Sequence, residues 1–135
     1  MQRILIVEDD IEIQDMLRNY LTDAGYEVVI AEDGVTGIAK FDDTINLVLL
    51  DIMLPKIDGY GVCEVIRQRS QVPIIMLTAL SDEENQIKGF EQQIDDYIPK
   101  PFSPKILLYK IAAIFRRGSS DTQKQTSIVY KDLCM

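Results

Sequence analysis

The chain has 135 residues and a formal net charge of −8, with 47% hydrophobic and 27% charged residues and no histidine. That size suits one compact domain with a short extension and a real core, while the acidity argues against direct binding of this segment to a nucleic-acid backbone. The missing histidine removes the commonest general base and the usual zinc ligand, and no apolar run approaches the roughly 20 residues of a membrane helix.

Short β-branched apolar runs alternate with helical patterns along the chain. The first run, Ile4 to Val7, is followed by Glu8, Asp9 and Asp10. Ile13, Met16, Leu17, Tyr20 and Leu21 then keep the rhythm of one helix face, and Gly25 stands where that helix should stop. A second strand is predicted over Glu27 to Ala31 and a second helix from about Val35 to Phe41. A third strand, Leu47 to Leu50, leads into Asp51, and a third helix carries Val62, Val65 and Ile66. The fourth strand, Pro73 to Leu77, ends at Thr78, and a fourth helix opens at Ser81 with Glu84 at capping-box spacing. A weaker strand surrounds Tyr97 and Ile98. A fifth helix begins at Pro104, with Leu108, Ile111, Ala112 and Phe115 on its core face.

Five strand-helix alternations imply an α/β fold with a parallel sheet covered on both sides. Ligands of such sheets bind beyond the carboxyl ends of the strands. There the sequence offers Glu8, Asp9 and Asp10 after the first strand, Asp51 after the third, Thr78 after the fourth and Lys100 after the fifth. Carboxylates gathered in one place must take up protons or a cation. Oxygen ligands without His or Cys favour a hard ion, Mg²⁺ above Zn²⁺. Asp10, directly before the first helix, reads as its N-cap; one cap does not need three acids, so Glu8 and Asp9 read as more than caps. Tyr97, on its own evidence, reads as a half-buried packing residue. Without a glycine-rich loop after the first strand, a nucleotide cradle is not expected.

The segments ILIVEDD, LVLLDIMLPKIDGYGVCEVIR, PIIMLTA and DDYIPKPFSP, in this order and spacing, resemble the receiver domains of bacterial response regulators, from Arg3 to about Arg117. The resemblance implies a doubly wound five-stranded parallel sheet flanked by five helices, the flavodoxin-like receiver fold. It implies Asp51 as phosphoacceptor, with Mg²⁺ held by Glu8, Asp9, Asp51 and the backbone carbonyl of Met53. Thr78 and Lys100 would bind the phosphoryl group, Tyr97 would turn inward as Thr78 moves, and the Lys100–Pro101 bond would be cis. The implied partners are a sensor histidine kinase and a second copy of the chain, joined on phosphorylation through a face that includes Ile106, Tyr109, Lys110, Asp96 and Arg117. The implied setting is the cytoplasm.

SPKILLYKIAAIFRR, a polar stretch and IVYKDLCM resemble the junction of the OmpR/PhoB class. The expected organisation is a receiver at 1–117, a linker at 118–127 and, at 128–135, the start of a winged-helix domain through which DNA would be bound. Three departures stand out. Gln93 and Ile94 replace the usual Gly-Ala, Pro99 precedes Lys100 where Thr is common, and Gln92 and Ile106 stand where acids are frequent. Two other readings stay open: a stand-alone receiver that signals by docking, and an aspartyl-phosphate phosphatase. The second needs an acid two residues after the nucleophile, and that position is Met53, which cannot transfer a proton. The expectation is therefore a phosphoacceptor that at most slowly dephosphorylates itself, not a turnover enzyme.

Overall fold

Five parallel strands pair in the order β2-β1-β3-β4-β5. They are β1 (Arg3–Val7), β2 (Glu27–Ala31), β3 (Leu47–Asp51), β4 (Ile74–Thr78) and β5 (Asp96–Pro99). The structure, a computed structural model, describes residues 2–78, 94–100 and 102–121, without the side chains of Thr78 and of residues 118–121. Among them are four helices: α1 (Ile11–Asp23), α2 (Gly34–Lys40), α3 (Gly59–Arg67) and α4 (Pro104–Asp121), the last being the one expected as fifth. The helix expected from Ser81 and the end of the chain from residue 122 lie outside the described residues. The chain divides into two units, Met1–Pro104 and Lys105–Met135, and the sheet with α1 to α3 belongs to the first.

The strand order reverses at β1. The chain steps outward to β2 and then crosses back to β3, so right-handed crossovers send α1 and α2 to opposite faces of the sheet. Central strands covered on both faces must be apolar at every position. Accordingly Ile4 to Val7 and Leu47 to Leu50 have no solvent exposure. Alternate residues serve alternate faces: Leu5, Val7, Val48, Leu50, Ile74 and Met76 form one core cluster with Val62, Cys63 and Ile66 of α3. Ile4, Ile6, Leu47, Leu49, Ile75 and Leu77, intervening along the same strands, are equally buried. At roughly 1.5–3 kcal/mol per buried aliphatic side chain, this sheet is a rigid support for whatever stands on its carboxyl edge.

Local signals set the helix ends. Asp10 caps α1, its Oδ1 accepting from the Glu12 and Ile13 amides at 2.9 and 3.4 Å. Gly25, at φ 96°, lets the chain leave α1, and the Tyr26 amide bonds back to the Leu21 carbonyl at 3.0 Å. Asp33 and Asp58 cap α2 and α3 in the same way. Two helix faces differ from expectation. Leu17 and Leu21 form the buried stripe of α1, but Tyr20 is 46% exposed. One residue before Leu21, it falls roughly 80° round the helix from the stripe's centre. In α4 the buried residues are Leu107, Ile111 and Ile114, not the set Leu108, Ile111, Ala112 and Phe115. That helix is apolar on several sides, so two frames one residue apart had nearly equal periodicity. Ile106 and Tyr109 are exposed, as expected, and α4 runs on to Asp121, past Arg117. No helix among the described residues is long and apolar enough to cross a membrane.

Candidate functional site

The switch in strand order between β1 and β3 leaves a crevice beyond their carboxyl ends, the usual ligand position in such sheets. β1 delivers Glu8 and Asp9 there, and β3 delivers Asp51 as its last residue. Carboxylate oxygens of these three lie within 4.8 Å of one another. Glu8 is fully buried and Asp51 is 3% exposed, whereas Asp9 faces solvent. Lys100, just past β5, reaches back with its Nζ 2.9 Å from Glu8 Oε1 and 3.0 Å from Asp51 Oδ2. Three carboxylates against one ammonium leave two formal negative charges, the complement of a divalent cation.

The acids are held from behind. The Asp10 amide donates to Glu8 Oε2 at 3.1 Å, and Gln14, one turn into α1, donates its Nε2 to the Glu8 carbonyl at 2.6 Å. The amide of Met53 donates to Asp51 Oδ1 at 3.1 Å. Each Asp51 oxygen thus has a donor, Met53 on one side and Lys100 on the other. The Met53 side chain is 60% exposed. Beyond it the β3–α3 loop folds over the start of α2: Lys56, at φ 72°, places its Nζ 3.3 Å from the buried Asp33 carboxylate.

Electrostatics follow burial. Desolvation of Glu8, aided by the neighbouring Asp51, pushes its carboxyl up to about 7 in spite of the hydrogen bonds from Lys100 and the Asp10 amide. Burial alone would lower Lys100, but its bonds to Glu8 and Asp51 outweigh that and hold it above its usual value. The metal-free pocket therefore shares protons that an entering cation would displace.

Of the residues expected at the site, Glu8, Asp9, Asp51 and Lys100 come together. Asp10 has turned away to cap α1. Thr78 ends β4, with its backbone in register with Pro99; its side chain and Pro101 lie outside the described residues. Tyr97 is half-buried against the core cluster, and its hydroxyl meets that of Tyr60 at 3.2 Å. Asp95 is engaged within the domain, its Oδ2 accepting from the Ile74 amide at 2.8 Å and lying 3.5 Å from Arg67. Sequence reading passed over Gln14, Lys56 and Tyr60. Gln14 shares the inner side of α1 with Leu17 and Leu21, a position where a polar residue signals a backbone to satisfy.

Comparisons with known proteins point to one family. A family described as the response regulator receiver domain matches residues 4–112. The probable transcriptional regulator ycf27 of Cyanophora paradoxa is 48% identical over 127 residues, covering 93% of this chain and 53% of that protein. Among solved structures, the CheY-like response regulator receiver domain protein of Methanospirillum hungatei JF-1 superposes with a TM-score of 0.83 at 36% identity, covering 88% of this chain and 97% of that one. DrrB, an OmpR/PhoB homolog of Thermotoga maritima, gives 0.79 at 36% identity, covering 87% of this chain and 54% of its own. The chain spans about half the length of the curated relatives it matches.

Proposed function

The chain belongs to the response regulator receiver domain family, with relatives among transcriptional regulators, and from that membership and the pocket's geometry we propose that it accepts a phosphoryl group on Asp51 in a Mg²⁺-dependent step and acts as the switch of a two-component regulator. The observation that carries this is the setting of Asp51: buried at the end of a central strand, bonded to Lys100, and beside two further carboxylates that a cation would join. The donor set fits Mg²⁺, which prefers oxygen and takes only one or two carboxylates while keeping waters. Glu8, Asp9, Asp51 and the Met53 carbonyl are the proposed ligands, with Asp9, the exposed member, the direct one beside Asp51. Bound there, Mg²⁺ supplies shielding for the charge of the incoming phosphoryl group.

The chain's own residues do the rest. Asp51 attacks phosphorus, an O–P bond forms, and the bond to the donor, a phosphohistidine of a sensor kinase, breaks. The Met53 amide and Lys100 fix the two Asp51 oxygens so that one faces the donor. Lys100 then exchanges a carboxylate partner for a phosphoryl oxygen, with the Thr78 hydroxyl and Tyr97 as the proposed companions in the switch. No proton-transferring side chain stands at Met53, so the step loads the protein and does not turn over a substrate.

The proposed output is a homodimer through Ile106, Tyr109, Lys110, Asp96 and Arg117, acting on transcription through an attached DNA-binding domain, in the cytoplasm. The test is exposure to acetyl phosphate with Mg²⁺ followed by intact-mass measurement. One phosphoryl group should add to the native chain and none to Asp51→Ala; equal labelling of both would reject the assignment.

A further inference from the structure

α3 is fastened to the segment that carries Lys100 at both of its ends, across the intervening strand β4. At its start, the Tyr60 hydroxyl lies 3.2 Å from the Tyr97 hydroxyl of β5. At its last residue, Arg67 NH2 lies 3.5 Å from Asp95, immediately before β5, while Arg67 NH1 donates to the Val72 carbonyl at 2.7 Å. β5 is only four residues long and, among the described strands, pairs with β4 alone. An edge strand this short has few bonds to fix its position, and Lys100 stands at its very end. α3, by contrast, is anchored to the acceptor itself: Gly59 packs against the Asp51 backbone, and its amide bonds to the Ile52 carbonyl at 2.9 Å.

We propose that Tyr60 is a positioning residue for the phosphoryl switch, its hydroxyl bonding to Tyr97 so that α3 and β5 move as one body and Lys100 stays in reach of Asp51. The inference rests on the phosphoacceptor reading. Besides the backbone ladder of β3, β4 and β5, two routes then connect Asp51 to Lys100. One is their direct ion pair. The other runs from Asp51 through Gly59 and Tyr60 to Tyr97 and along β5 to Lys100. A phosphoryl group on Asp51 replaces the direct pair by a longer one, and the tyrosine bond keeps β5 in place while Lys100 makes that exchange. Tyr60 is 4% exposed and Tyr97 half-buried, so the bond is shielded from water on the Tyr60 side. Losing a part-buried neutral hydrogen bond changes an equilibrium by about two- to tenfold.

The experiment measures beryllofluoride affinity, in saturating Mg²⁺, by calorimetry on the native chain, Tyr60→Phe, Tyr97→Phe, Lys100→Ala and the double variant Tyr60→Phe/Lys100→Ala. Mg²⁺ affinity without beryllofluoride is measured alongside. Tyr60→Phe and Tyr97→Phe should each weaken beryllofluoride about two- to tenfold. Mg²⁺ affinity should stay within about twofold, since the proposed ligands on β1 and β3 are untouched. In the Lys100→Ala background Tyr60→Phe should have almost no further effect, because its influence travels through Lys100. Undiminished beryllofluoride affinity in Tyr60→Phe, an equal fall in both affinities, or full additivity with Lys100→Ala would overturn the proposal. Should Tyr60→Phe fail to fold, Tyr97→Phe breaks the same bond from the other side and decides the matter. Absence of beryllofluoride binding by the native chain would overturn the phosphoacceptor reading, and this role with it; a binding native chain with an indifferent Tyr60→Phe overturns this role alone.

Discussion

The Lys100 ammonium lies 3.0 Å from Asp51 Oδ2, closing a contact between residues 49 positions apart in the chain. It also lies 2.9 Å from Glu8 Oε1, so it partly neutralises the pocket that a cation would occupy. Lys100→Ala should therefore tighten Mg²⁺ binding by about three- to tenfold, as expected from removing one nearby like charge in a partly solvated site. The same variant should label more slowly with acetyl phosphate. Calorimetric titration and a labelling time course check both halves; weaker Mg²⁺ binding in Lys100→Ala would contradict this electrostatic account.

Burial of Glu8 gives the metal-free protein a pH-dependent stability. Its carboxyl stands at about 7 in the folded chain against an ordinary value of 4.5. Between these values the folded state binds the extra proton, so stability falls as pH rises from 4.5 to 7 and then levels off. Lys100, held above 10.5, changes stability only at higher pH. Asp33 and Asp42, held below 3.8, do so only in stronger acid. Mg²⁺ must displace the Glu8 proton, so its stabilising shift in melting temperature should be larger at pH 8 than at pH 6. Glu8→Gln should flatten the metal-free profile in this window. A Mg²⁺ shift that does not change with pH would count against the displacement.

Gly59 has no room for a side chain. An added Cβ would meet the Asp51 carbonyl and come within 2.7 Å of Ile52 Cα. Both are backbone and cannot swing aside. Gly59→Ala should thus lower unfolding stability by about 1–3 kcal/mol and slow the labelling of Asp51. Denaturant melts give the first and acetyl phosphate kinetics the second. Full stability in this variant would show that α3 can move off β3 freely.

Lys56 holds a positive φ of 72° while its exposed ammonium pairs with the buried Asp33 carboxylate at 3.3 Å. Left-handed backbone costs a non-glycine residue roughly 1–2 kcal/mol, more when the side chain is β-branched, and a pair whose lysine end is solvated returns only about 0–1 kcal/mol. Lys56→Gly should be nearly neutral in stability and Lys56→Val clearly destabilising. Equal melting midpoints for the two would contradict the loop geometry.

The strands were legible because central positions between two helical layers admit only apolar residues: Ile4 to Val7 and Leu47 to Leu50 show this directly. The acids were legible because strand ends of a parallel sheet converge, and Asp10 could be separated from Glu8 and Asp9 by its place before α1. Other features depend on rotamers and loop paths that no periodicity records. Tyr60 and Tyr97 meet through polar tips 37 residues apart, and Gln14 folds inward onto a carbonyl. The frame of α4 was misread because its apolar residues surround the helix, so that only packing could choose Leu107, Ile111 and Ile114. The caps Asp33 and Asp58 follow the ordinary rule for α2 and α3 but were hidden because each is followed by a glycine, Gly34 and Gly59, a poor helix former that blurs the helix start.

The most direct test of the central claim is to trap the phosphorylated residue. After treatment with acetyl phosphate and Mg²⁺, borohydride reduces an acyl phosphate to an alcohol, and peptide mass spectrometry locates the reduced side chain. The account predicts reduction at Asp51 alone, dependent on Mg²⁺ and strongly diminished in Asp9→Ala. Reduction at Asp9, Asp10 or another carboxylate with Asp51 untouched, or labelling of Asp51 undiminished after chelation of Mg²⁺, would contradict it.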